Sequence, residues 1–145
     1  MYTREVSEQI CPLTGMLPDD RGPGTHYSDW VSLSAYHRAF FLLEVGDMGA
    51  LSTAIAGLQQ ASDAAGTGVK AITGKVCSIL SAAAGDDGLV GIELQTEELD
   101  VDGHFEYVRF YVTTAVNTVL FSAGLFGVES RFEPVPTTNW HQICH

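Results

Sequence analysis

Basic side chains are scarce: 7 Lys and Arg stand against 18 Asp and Glu, so the 145-residue chain carries a formal net charge of -11. The basic residues are scattered without a cluster, and a phosphate backbone would be repelled, which disfavours nucleic-acid binding. An acidic surface serves solubility first, and complementarity to a basic partner second. Charge of either sign is sparse at 17%, against 46% hydrophobic residues. That balance belongs to one packed domain, not to a disordered chain. Long apolar runs are missing as well. No stretch approaches the ~20 residues needed to span a bilayer as a helix, and MYTREVSEQICPLTG has no apolar leader core. Synthesis in the cytosol without membrane insertion is expected. The three cysteines, Cys11, Cys77 and Cys144, are odd in number and widely spaced, which argues against a disulfide framework and for reduced thiols.

What is present is punctuation. Residues 1–27 hold Pro12, Pro18 and Pro23 with Gly15, Gly22 and Gly24, a density of breakers that excludes a long helix or a central strand. An extended N-terminal arm is expected there. Residues 134–145, with Pro134, Pro136 and a lone Trp140, read as a C-terminal arm of the same kind. The domain is expected over residues 28–133.

Inside that span the chain divides into short segments of period-two alternation. In AFFLLEV (39–45) Phe41, Leu43 and Val45 fall on one face and Phe40 and Leu42 on the other, so both faces look covered, as in a central strand. Over 89–97, Val90, Ile92 and Leu94 alternate with Gly91, Glu93 and Gln95. Over 107–114, Val108, Phe110 and Val112 oppose Tyr107, Arg109 and Tyr111. The Asp102-Gly103 step between these two segments signals a hairpin that would make them partners. Further strands are expected at 29–34, 53–59, 69–79 and 117–126, with a short one at 130–133. Segment 50–61 also has helical spacing at Leu51, Ile55 and Leu58, but Thr53 and Ile55 alternate with Ala54 and Ala56, and Gly57 would weaken a helix by ~1 kcal/mol. The strand is preferred. The fold class is therefore all-β: a jelly-roll-like antiparallel β-sandwich with extended N- and C-terminal arms.

Candidate chemistry is thin. DVDG at 100–103 resembles the start of a calcium loop but is not followed by the further oxygen ligands such a loop requires. Glu97, Glu98 and Asp100 read instead as a solvated acidic edge. His141, Cys144 and His145 could ligate a metal if Cys11 or His26 joined them, although structural zinc sites are more tightly paired. A Cys11–Cys144 bridge between the arms is the alternative use of those thiols. No G-x-S-x-G elbow is present, Cys77 sits in an alternating segment as a structural thiol would, and GTGVK at 66–70 lacks the spacing of a phosphate loop. Neither an enzyme nor a cofactor is expected.

The order and spacing of SDWVSLSAYHRAFFLLEVGDM, LQQASDAAGTGVKAITGK, ELDVDGHFEYVRFYVT and LFGVESRFEPV resemble a family of small tailed-phage virion proteins, over roughly residues 28–135. The resemblance implies a β-rich virion component synthesised in the host cytoplasm, of the capsid cement or decoration type. Its partners would be the major capsid protein and copies of itself, in a homo-oligomer within the particle. The alternatives are a head–tail connector, tail-tube or tail-terminator subunit, and a carbohydrate-binding β-sandwich module, for which Tyr107 and Tyr111 on one strand face are the candidate platform, with Trp30 at the start of the domain and Trp140 in the C-terminal arm. The arms carry Ile10, Leu13, Met16, Leu17, Trp140 and Ile143, apolar groups with no purpose in a solvated tail. These six are the expected partner-binding residues.

Overall fold

The computed structural model describes residues 5–84, 87–132 and 139–144. Among them there are ten strands and three single 3-10 turns: β1 (Ile10–Arg21), β2 (Gly24–Tyr27), β3 (Val31–Ser32), β4 (Tyr36–Met48), β5 (Thr53–Ala61), β6 (Lys70–Val76), β7 (Leu80–Ser81), β8 (Gly88–Gln95), β9 (Tyr107–Ala115) and β10 (Val119–Ser130). One sheet has the order β1-β10-β4-β8, and the other β2-β9-β5-β6. Strands β2 and β3 lie end to end along β9, and β6 and β7 along β5. Counting each of these pairs as one interrupted strand leaves eight. Their order is then first, eighth, third, sixth in one sheet and second, seventh, fourth, fifth in the other, which is the double Greek key of a jelly roll. The all-β sandwich read from the sequence is the fold. All the pairings are antiparallel, as its many turns require.

The period-two pattern assigns the inner faces. Ala39, Phe41 and Leu43 of β4 are fully buried, facing Val108, Phe110 and Val112 of β9, also fully buried, with Ile92 and Leu94 from β8 and Phe121 and Leu125 from β10 closing the layer. Segment 50–61 resolves as strand β5, whose Ala54, Ala56 and Leu58 complete the core. Small side chains suit β5 because it lies in the middle of its sheet, and Gly57 is required there. A Cβ on Gly57 would sit 2.7 Å from the Tyr111 hydroxyl, whose ring lies across the strand.

Three expectations are corrected. Strands β8 and β9 are not a hairpin: β8 pairs with β4 and β9 with β5, so residues 96–106 cross from one sheet to the other. Asp100 still caps a turn there, accepting from Gly103 N at 2.9 Å, while its other oxygen pairs with Lys70. Alternation identifies a pleated segment but not its neighbour, and a crossing satisfies both inner rows as well as a hairpin would. The local hairpin is instead β5–β6, turned by Asp63, whose Oδ1 accepts from Ala65 N and Thr67 N at 2.9 and 3.0 Å, with Gly66 and Gly68 at φ of 84° and 70°.

The second correction concerns residues 1–27. Ile10–Arg21 is a strand paired along β10, and Gly24–Tyr27 pairs with β9. The domain therefore begins before residue 28. The breakers remain consistent with an edge strand: the register shifts fall between Pro12 and Thr14 and between Met16 and Asp19, the latter spanning Pro18, so the missing N–H groups coincide with bulges. Thirdly, β10 runs to Ser130, so no separate strand forms at 130–132. Residues 133–138 and 145, which include half of the expected C-terminal arm, lie outside the described residues.

Candidate interaction surface

The outer face of the β1-β10-β4-β8 sheet follows from the same alternation. With Phe41, Leu43, Phe121 and Leu125 turned inward, Phe40, Leu42, Phe126 and Val128 must turn outward. Phe40 is 39% exposed, so the second face of 39–45, expected to be covered, is open to solvent. The aromatic rings lie flat because glycines lie beneath them. A Cβ on Gly91 would meet the Phe40 ring at 2.9 Å, and one on Gly124 would meet Phe126 at 3.1 Å.

Ile10, Phe40, Phe126, Val128 and Trp140 line a groove of about 420 Å³ on this face, almost wholly apolar apart from Arg38 and Glu93 at its rim. Arg38 donates to Glu93 at 2.7 Å and to Glu129 at 3.1 Å. Its guanidinium pKa is raised further by these partners, Glu93 foremost, so its positive charge is met by two carboxylates. Trp140 is brought here by Asn139, which donates to the Pro12 carbonyl at 2.9 Å. Among the described residues the indole Nε1 is buried without a hydrogen-bond partner. A smaller hollow of about 260 Å³ is lined by Val6, Ile10, Trp140 and Ile143.

Of the six residues expected to bind a partner, the fold brings Ile10, Trp140 and Ile143 together on this side. Leu17 is 83% exposed on β1 and lies outside the groove. Leu13 and Met16 are half-buried and pack against the core, outside that groove. Sequence reasoning missed Phe40, Phe126 and Val128. The available signal was the second apolar face of 39–45, read as covered because alternation cannot say what lies above it.

No disulfide joins Cys11, Cys77 and Cys144. Cys11 is buried beside Tyr36, whose phenol pKa is pushed up first by burial and then by the thiol, and Cys144 is exposed. Cys77, just past the end of β6, accepts from Ala56 N of β5 at 3.1 Å, a structural contact. Among the described residues no three His, Cys, Asp or Glu side chains converge as metal ligands, and His145 of the suspected cluster lies outside them. No helix among these residues is long and apolar enough to cross a membrane.

No protein-family model matches the sequence, and neither does any curated protein. Solved structures with a similar chain path include one of Desmodium yellow mottle tymovirus, at 11% identity and a TM-score of 0.39, covering 86% of this chain and 87% of that one. Another is Broad Bean Stain Virus, at 11% identity and a TM-score of 0.36, covering 93% of this chain and 97% of that one. A third is infectious bursal disease virus Gt strain, at 12% identity and a TM-score of 0.27, covering 85% of this chain and 42% of that one. The jelly-roll assignment rests on the strand order itself.

Proposed function

We propose that this chain is a non-enzymatic structural component of a virus particle, a cement or decoration protein on the capsid of a tailed phage, docking on the major capsid protein through the outer face of the β1-β10-β4-β8 sheet. The observation that carries the reading is the apolar groove around Phe40 and Trp140 on a chain of net charge -11. A soluble monomer gains nothing from an open aromatic sheet face, whereas a protein that must seat on many identical sites needs one. The jelly-roll order supports the reading, because that architecture serves capsid domains. So does the resemblance of residues 28–135 to small tailed-phage virion proteins. The buried Trp140 Nε1, without a partner among the described residues, suits a neighbour that offers a carbonyl.

The test is to mix purified protein with expanded phage shells that lack decoration and to count bound copies by mass measurement. Saturable loading at hundreds of copies per shell supports the capsid role. Binding confined to six or twelve copies at the portal would move the protein to the neck, and stacked rings formed without shells would move it to the tail.

A further inference from the structure

On the opposite sheet, Arg109 of β9 lies between two aromatic rings, with its Cζ 4.0 Å from the Tyr27 centroid and 4.5 Å from that of Trp30. Gln59 fixes its rotation by accepting from Nε at 2.9 Å. Tyr111 extends the row, its ring 6.4 Å from Tyr27 and lying over Gly57. At the other end the Trp30 indole fits against Gly66, where a Cβ would approach Nε1 to 2.6 Å. Two glycines thus let three rings and one guanidinium form a continuous row, with Tyr27 half exposed.

The pairing of that guanidinium is unusual for this chain. Arg21, Arg38, Lys70 and Lys75 each hold a carboxylate, and Arg131 donates to the Tyr36 carbonyl and the Thr96 hydroxyl. Among the described residues, Arg109 is the cation whose terminal nitrogens have no partner, although acidic residues outnumber basic ones 18 to 7. Its orientation is set in advance, and the edge carrying its terminal nitrogens has no hydrogen-bond partner among the described residues. That edge matches a carboxylate in bidentate geometry, and the flanking rings match the C–H face of a pyranose.

We propose that Tyr27, Trp30, Arg109 and Tyr111 form a binding site for a carboxylated sugar, a sialic or uronic acid unit, with Arg109 taking the carboxylate and the rings stacking on the sugar. The site is independent of the capsid-docking face. A polynucleotide, which could also stack on rings and bind arginine, is opposed by the net charge of -11, whereas a ligand with one carboxylate meets much less repulsion.

The test is ligand-observed NMR and calorimetric titration of the full chain with sialyllactose, a glucuronic acid disaccharide, neutral lactose and oligothymidylate. At least one acidic sugar should bind with weak affinity, about tenfold or more tighter than lactose. Arg109→Gln should weaken it by about tenfold, as expected on losing a charged hydrogen-bond donor. Arg109→Lys keeps the charge without the planar fork and should also bind more weakly. If Arg109→Gln does not fold, the lysine variant and Tyr27→Ala carry the comparison. Lack of binding to every sugar, equal binding of lactose, unchanged affinity in the folded Arg109 variants, or preference for oligothymidylate would each overturn the proposal.

Discussion

Phe41 and Phe110 meet at the centre of the sandwich, one from each sheet, with ring centroids 4.9 Å apart and planes inclined by 42°. Both are fully buried. This pair couples the two sheets through the core, whereas the ladder bonds act only within a sheet. Phe110→Ala should therefore cost about 3–5 kcal/mol, enough to leave a marginally stable domain largely unfolded. Urea denaturation followed by tryptophan fluorescence measures it; wild-type stability in the variant would show that this row does not face the core.

Deleting residues 1–20 removes most of β1 and leaves β10 as a bare edge. Buried Cys11 and half-buried Leu13 and Met16 go with it. At about 1.5–3 kcal/mol for each well-buried apolar side chain and 2–4 °C per kcal/mol, the melting temperature should fall by more than about 10 °C. This reverses what a free arm would predict. An unchanged melting temperature in differential scanning calorimetry would restore the arm.

Acid should weaken the fold through the carboxylates that tie the crossing segment down. Glu98 accepts from Gln95 N at 2.8 Å and pairs with Lys75 at 2.9 Å, and these contacts hold its pKa below the ordinary 4.5. Asp100 is likewise held below 3.8, by Lys70 first and by Gly103 N. A lowered folded-state pKa means that the stabilisation is complete above the unfolded value and is lost as pH falls through the folded one. Urea midpoints should therefore hold steady down to about pH 4.5 and decline below it. Glu98→Gln should shallow that decline; an identical acid limb in the variant would assign the effect to other groups.

Phe40→Glu separates folding from docking. The ring is 39% exposed above Gly91, so its loss should cost about 1 kcal/mol or less. A carboxylate in the middle of the apolar groove should nevertheless reduce loading on shells by at least about tenfold. Normal loading by the folded variant would move the contact away from this face.

Much of the fold was legible before any coordinates. Phe41, Ile92, Leu94, Val108, Phe110 and Val112 are buried where alternation places them, and 53–61 is a strand despite its alanines and glutamines. The candidate surface was legible only in part: Ile10, Trp140 and Ile143 were marked by being apolar in breaker-rich segments, but Leu13 and Met16, marked by the same rule, pack against the core outside the groove.

The sequence by itself determined which residues extend and which side of each strand is apolar, because both depend on the pleat and on a residue's immediate neighbours. Only the tertiary structure decided that β8 and β9 part to opposite sheets, that Ile10–Arg21 closes an edge with its prolines at bulges, and that Phe40 faces solvent while Arg109 stacks between Tyr27 and Trp30. Those outcomes depend on partners tens of residues away, and period-two alternation is satisfied equally by any partner that offers an apolar face.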